Sequence, residues 1–165
     1  MPALLVLLAL LVIGFLAYRE LRARAERNAP RATRVTERLT DPREAAAILL
    51  VQQAVYEGHV TPAHKDAIVS LMKAQFGADD QEAEGLYSFG RMAVGQTGDA
   101  ANSLRRLLAP IRERCTLDEM KALADMLVQV GETGAPMKDA QARLVAEVRR
   151  ALSLPAESPP GQASR

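Results

Sequence analysis

Two short turns carry the residues with the best claim to chemistry. In Glu57-Gly58-His59-Val60-Thr61-Pro62-Ala63-His64, an acid at a helix end precedes by seven positions a histidine on the next helix's first turn. Glu132 and Asp139 repeat that separation later in the chain. Carboxylate oxygens converging across a short turn, with an imidazole nitrogen added, could hold a divalent cation. The competing reading makes Glu57 and Glu132 solvated loop acids and His64 a surface residue. Glu57, His64, Glu132 and Asp139 are thus the candidate metal ligands, and a divalent metal ion is the sole cofactor the residues suggest.

Catalytic constellations are missing. The chain has one cysteine, Cys115, set just before a capping residue and distant in sequence from both histidines, His59 and His64. Such a thiol reads as half-buried and structural, and it can form neither an internal disulfide nor a Cys-rich zinc site. HExxH, CxxC and GxSxG are absent. Gly90, Gly95 and Gly98 lack the Lys-Ser/Thr of a phosphate loop and follow no strand, so they read as a helix break. No enzyme is expected.

The elements that must position these residues are helical. Aromatics make up 4% of the 165 residues, and Ala and Leu dominate, which disfavours a β-sandwich and base-stacking platforms. Asp41-Pro42 with Glu44 caps a first helix carrying Ala45, Ile48, Leu49, Val51 and Val55, ending near Gly58. Thr61-Pro62 opens a second that stops at Gly77. Asp79, with Glu82 three residues on, opens a third that breaks at Gly95–Gly98. Asp99 caps a fourth, interrupted by Pro110. Thr116 to Glu119 is a capping box for a fifth, and Leu144, Val145, Val148 and Leu152 mark the last. The class is all-α, a compact bundle of six or seven helices over residues 41–152, with a disordered tail over 153–165.

An offset of 75 lays Ile48 over Leu123, Val51 over Met126, Val55 over Val130, Glu57 over Glu132 and Ala67 over Ala142. That echo suggests two helix–loop–helix units with a partner groove between them.

The N-terminal part differs in kind. Pro2 to Tyr18 is uncharged and apolar, about 26 Å as a helix, at the short end of a membrane span. Seven arginines follow, from Arg19 to Arg38, so the reading is an anchor over 1–18 and an Arg-rich juxtamembrane segment over 19–40. The positive-inside rule places the body in the cytoplasm, on a bacterial-type inner membrane, in single-pass topology. A signal peptide cut near Ala23-Arg24-Ala25 is the weaker alternative, since no basic residue precedes the apolar run; a buried core helix would carry a polar face. Residues 41–165 hold 14 basic against 17 acidic residues. That balance excludes nucleic acid as the expected partner and leaves the membrane, a protein partner and self-association.

The order Asp41-Pro42-Arg43-Glu44, an apolar helix, Glu57-Gly58-x-Val60-Thr61, a long middle and a second helix–loop–helix resembles the TerB-like superfamily. That superfamily comprises the tellurite-resistance TerB proteins and the N-terminal domain of the co-chaperone DjlA. Its mark is an Asp-Gly-x-(Ile/Val)-(Ser/Thr)-x-x-Glu turn, often in both halves. Here Glu57 stands at the Asp position and His64 at the Glu position, with Glu132 and Asp139 at the acidic positions of the second half. The resemblance implies an all-helical fold, metal binding at acidic turns and a role in membrane-associated stress-response complexes. This chain carries no His-Pro-Asp tripeptide, so recruitment of Hsp70 by a J domain is not implied. The expected function is a non-enzymatic, membrane-anchored interaction module, with a metal-binding stress sensor as the alternative.

Overall fold

A computed structural model describes residues 39–56, 58–94 and 100–155. Six helices follow in order: α1 (Pro42–Val55), α2 (Pro62–Phe76), α3 (Asp80–Val94), α4 (Ala100–Arg114), α5 (Leu117–Gly131) and α6 (Asp139–Ala151). No strand occurs among the described residues. None of these helices is long and apolar enough to cross a membrane. The expected anchor over 1–18 and nearly all of the Arg-rich segment lie outside the described residues.

The start signals act as the sequence predicts. The Asp41 carboxylate accepts the Arg43 backbone N–H at 2.8 Å, and Asp79 accepts that of Glu82 at 2.8 Å. The Thr116 hydroxyl accepts the Glu119 N–H at 3.3 Å, while the Glu119 carboxylate accepts the Thr116 N–H at 2.6 Å. Each satisfies donors that a helix start would otherwise leave orphaned.

α1 is the central element. The expected stripe of Ala45, Ile48, Leu49, Val51 and Val55 is too narrow, because every residue from Ala45 to Val51 is buried. α2, α3, α4 and α5 all pack against α1, so it has no solvent face over two turns, as an all-round apolar helix requires. Ile48, Leu49 and Leu50 are fully buried, each contributing about 1.5–3 kcal/mol by removal from water.

α3 makes the closest approach. Gly90 lies inside α3 rather than at a break, and a Cβ built there would stand 2.7 Å from the Ala47 carbonyl oxygen. The glycine admits the α1 backbone, and Ala46, Ala47, Ala83 and Ala93 keep the surrounding interface thin. Pro110 corrects the sequence reading in a similar way: α4 runs through it to Arg114. The lost backbone donor is outweighed by burial of Leu107, Leu108 and Ile111, all at most 1% exposed.

The folded part also reaches further at both ends. Leu39 joins the core, although the reading placed it in the linker. At the other end Ser153 takes a left-handed φ of 56°. The Leu154 N–H donates to the Arg149 carbonyl at 2.9 Å and the Ser153 N–H to that of Arg150 at 3.1 Å. These two bonds make a Schellman cap, and it turns Leu154 into the core. Ser153 and Leu154 therefore belong to the domain, while the rest of the expected tail from Ala156 lies outside the described residues.

Two predictions follow from this packing. Gly90→Ala should lower unfolding stability by about 1–3 kcal/mol, because the new methyl meets backbone that cannot swing aside. Gly85→Ala, in the same helix with nothing within 4 Å, should raise it by about 0.5–1 kcal/mol in the same denaturant titration. The second concerns acid. Partial burial pushes the Asp41 carboxyl up, but hydrogen bonds from Arg43 and the charges of Arg43 and Arg114 outweigh it and hold the group below its ordinary 3.8. Its stabilising effect is complete above the unfolded value and is lost as pH falls through the lower folded value. Asp41→Asn keeps a capping oxygen without the titration, so its stability should fall less than the parent's between pH 5 and 2, measured by thermal melts.

Candidate functional site

The first turn joins α1 to α2, and Gly58 takes a φ of 103° to reverse the chain. Thr61 caps α2: its hydroxyl accepts the His64 N–H at 3.2 Å. The His64 ring answers. Its Nδ1 accepts the Thr61 backbone N–H at 3.3 Å and lies 2.8 Å from the Thr61 hydroxyl. A backbone N–H can only donate, so Nδ1 is the acceptor and the ring proton of neutral His64 sits on Nε2. His64 is 1% exposed, not the surface residue of the competing reading. Its Nε2 finds no partner among the described residues. Glu57 lies outside them.

The second turn joins α5 to α6. Gly134 takes a φ of 83°, and α6 starts after Lys138, whose N–H donates to the Gln141 side-chain oxygen at 2.9 Å. Gln141 therefore stands where His64 stands in the first turn, third in its helix and reaching back to the residue before it. The offset between these positions is 77, so the echo of 75 holds along the preceding helices and slips by two residues in the turn. Asp139, which the offset of 75 placed opposite His64, is instead exposed at the first position of α6, and Glu132 is exposed at the end of α5. Among the described residues no three His, Cys, Asp or Glu side chains form a group that could hold a metal ion.

The sequence reading missed the polar tie these turns enclose. Gln53 of α1 and Gln141 of α6 are both fully buried. The Gln141 amide donates to the Gln53 backbone carbonyl at 3.2 Å, one of the carbonyls left open at the end of α1. The Gln53 amide donates to the Leu127 carbonyl of α5 at 3.1 Å, with the Gln141 carbonyl at 3.5 Å. Gly131 leaves room for it, since a Cβ there would lie 2.6 Å from the Gln53 nitrogen. One signal was available: two glutamines in otherwise apolar helix registers.

The family comparison bears on these turns. The family model for tellurite resistance protein TerB matches residues 43–159. The chain belongs to the TerB family. No curated protein and no solved structure gave a match. In this TerB domain the Ser/Thr-x-x-Glu part of the expected turn has a plain physical meaning, because that spacing is a capping box. Thr61 with His64 keeps both halves of the box, whereas Lys138 with Gln141 keeps only the return bond, from the backbone N–H before the helix to the side chain three residues on.

Cys115 is half-buried. Burial first, then the Glu119 and Asp41 carboxylates, push its thiol up, away from the thiolate form a nucleophile needs.

The TerB domain also carries a groove. It lies between α5 and α6, within the second helix pair rather than between the two halves as expected. Its walls are Val128, Met137, Ala142, Val145 and Ala146, closed by Leu154, with a volume of about 570 Å³. Arg149 and Arg150 are the charged residues of the lining. A smaller recess of about 340 Å³ near Leu39 and Pro110 is lined mainly by polar groups, among them Arg106, Glu113 and Arg114.

The tie and the cap predict separable losses. Gln141→Leu keeps the volume but strands the Lys138 N–H and the Gln53 carbonyl, so it should cost about 1–3 kcal/mol in a urea titration. His64→Ala should cost a similar amount through the lost cap and the space it leaves. His64→Gln installs the residue that the second turn already uses and should recover at least half of that loss.

Proposed function

We propose that the protein is a non-enzymatic, membrane-anchored helical module of the TerB family, acting by presenting its domain to a protein partner in a membrane-associated stress-response complex. The observation that carries this reading is the order of parts along the chain. An uncharged apolar stretch long enough for a short span, then seven arginines, leads directly into the matched domain. Tethering to a bilayer raises the domain's effective concentration toward anything held in the same plane, without any new contact. The positive-inside rule sets the domain on the cytoplasmic face of a bacterial-type inner membrane.

The internal chemistry of the domain agrees with a scaffold. His64, Gln53 and Gln141 are engaged in capping and tying helices. The surface left for recognition is then the α5–α6 groove and the charged helix faces.

Membrane fractionation tests the anchoring. The full chain should stay in the membrane pellet through an alkaline carbonate wash, and removal of residues 2–18 should release it to the supernatant. A full chain that washes off with carbonate would overturn the anchor. In-cell crosslinking tests the partner: a protein crosslinked to the full chain and lost from the form without residues 2–18 is the expected result.

A further inference from the structure

The α5–α6 groove combines two features that point to one ligand chemistry. Its walls are hydrocarbon from both helices and the intervening loop, and its volume of about 570 Å³ falls within the range of sites that enclose a small molecule. Its charged lining is of one sign. Arg149 is mostly covered and paired across 3.8 Å with Asp125, and Arg150 next to it is exposed. A ligand matching this lining is hydrocarbon along most of its length and anionic at one end.

The surroundings extend the same charge. α4 packs against α6 and exposes Arg105, Arg106, Arg112 and Arg114 against one acid, Glu113. α3 is the acidic helix, with Asp80, Glu82 and Glu84 against Arg91, while α6 is mixed, with Asp139 and Glu147 against Arg143, Arg149 and Arg150. The basic excess on α4 favours one orientation at an anionic surface, with α4 toward it and the Arg149–Arg150 end of α6 beside it.

Residues 156–165 are a poor occupant. Their apolar side chains are only alanines and prolines, too small to fill the groove.

We infer that the α5–α6 groove binds the acyl chain of an anionic membrane phospholipid, whose headgroup is met by Arg150 with Arg149 beside it. This rests on the membrane-anchored reading above, which supplies the lipid and holds the groove near it. Burial of each methylene in the groove adds hydrophobic affinity, and the guanidinium donors give the preference for a phosphate-bearing headgroup over a zwitterionic one.

The test uses the full chain, with ¹³C-labelled methionine and alanine methyls, in phosphatidylcholine nanodiscs. The discs carry a nitroxide on the acyl chain of either phosphatidylglycerol or phosphatidylcholine. Phosphatidylglycerol should broaden the Met137 and Ala146 methyls severalfold more than phosphatidylcholine does, while Met92 on exposed α3 surface stays sharp with both. Arg150→Glu should abolish the difference between headgroups. Equal broadening by the two lipids, or none by either, overturns the proposal. So does a shift of these methyls by an acidic amphipathic peptide without any lipid effect, which would assign the groove to a protein. Co-migration with the discs reports the anchor separately. A chain that stays out of the disc fraction overturns the anchor, and a soluble anionic lysophospholipid with the same nitroxide then decides the groove: broadening of Met137 and Ala146 upholds it, and none rejects it.

Discussion

Complete desolvation of α1 from Ala45 to Val51 is the constraint on which the rest of the bundle depends. A helix without a polar face must be covered on every side, so four others are arranged around it rather than in a layer beside it. The covering helices are then free to be amphipathic, and α3 to α6 each keep an exposed charged face. Close approach is limited by side-chain size. Gly90 and the alanines at the α1–α3 contact reduce it to near backbone distance. That interface gains packing density at a cost in side-chain burial, while Ile48, Leu49 and Leu50 supply the apolar area elsewhere around α1.

A fully enclosed helix brings its own polar problem, because its last carbonyls finish inside the protein. Gln141 answers this for α1 by donating to the Gln53 carbonyl, and the same side chain accepts the N–H that precedes α6. One residue thus serves the end of one helix and the start of another. Gln53 reaches in the opposite direction, to α5. The tie specifies how the two helix pairs sit on each other, since each donor is directional in a way that apolar packing is not. The Nε2–H of His64, in the first turn of α2, and the Gln53 side-chain oxygen, in the last turn of α1, are buried without hydrogen-bond partners among the described residues.

Much of the fold was legible in the chain because its signals are local. Asp41, Thr61, Asp79 and Thr116 mark helix starts through side-chain geometry that spans three residues. The errors arise where a distant segment decides. Gly90 reads as a breaker until α1 is placed against it, and Pro110 reads as an interruption until Leu107 and Ile111 are seen in the core. The correspondence between the two candidate turns meets the same limit. Spacing alone set Asp139 opposite His64, but the second turn is longer, and Gln141 takes the equivalent role. Acidic residues near a turn attract a metal reading, whereas the capping demand of the following helix is the nearer physical cause of a polar residue at that position.

The difference between the turns bears on how the two helix pairs divide their work. The first pair is committed to the core: α1 is enclosed and α2 packs on α1, α3 and α5. The second pair has a longer turn, which carries Met137 into the space between α5 and α6. Two of the α6 positions facing that space, Ala142 and Ala146, are too small to close it, and the Schellman cap at Ser153 folds Leu154 back over its end. A repeat that begins symmetric in sequence therefore becomes asymmetric in surface. One pair builds the interior and the other leaves an apolar recess beside two arginines, so recognition can vary at α6 without disturbing the packing around α1.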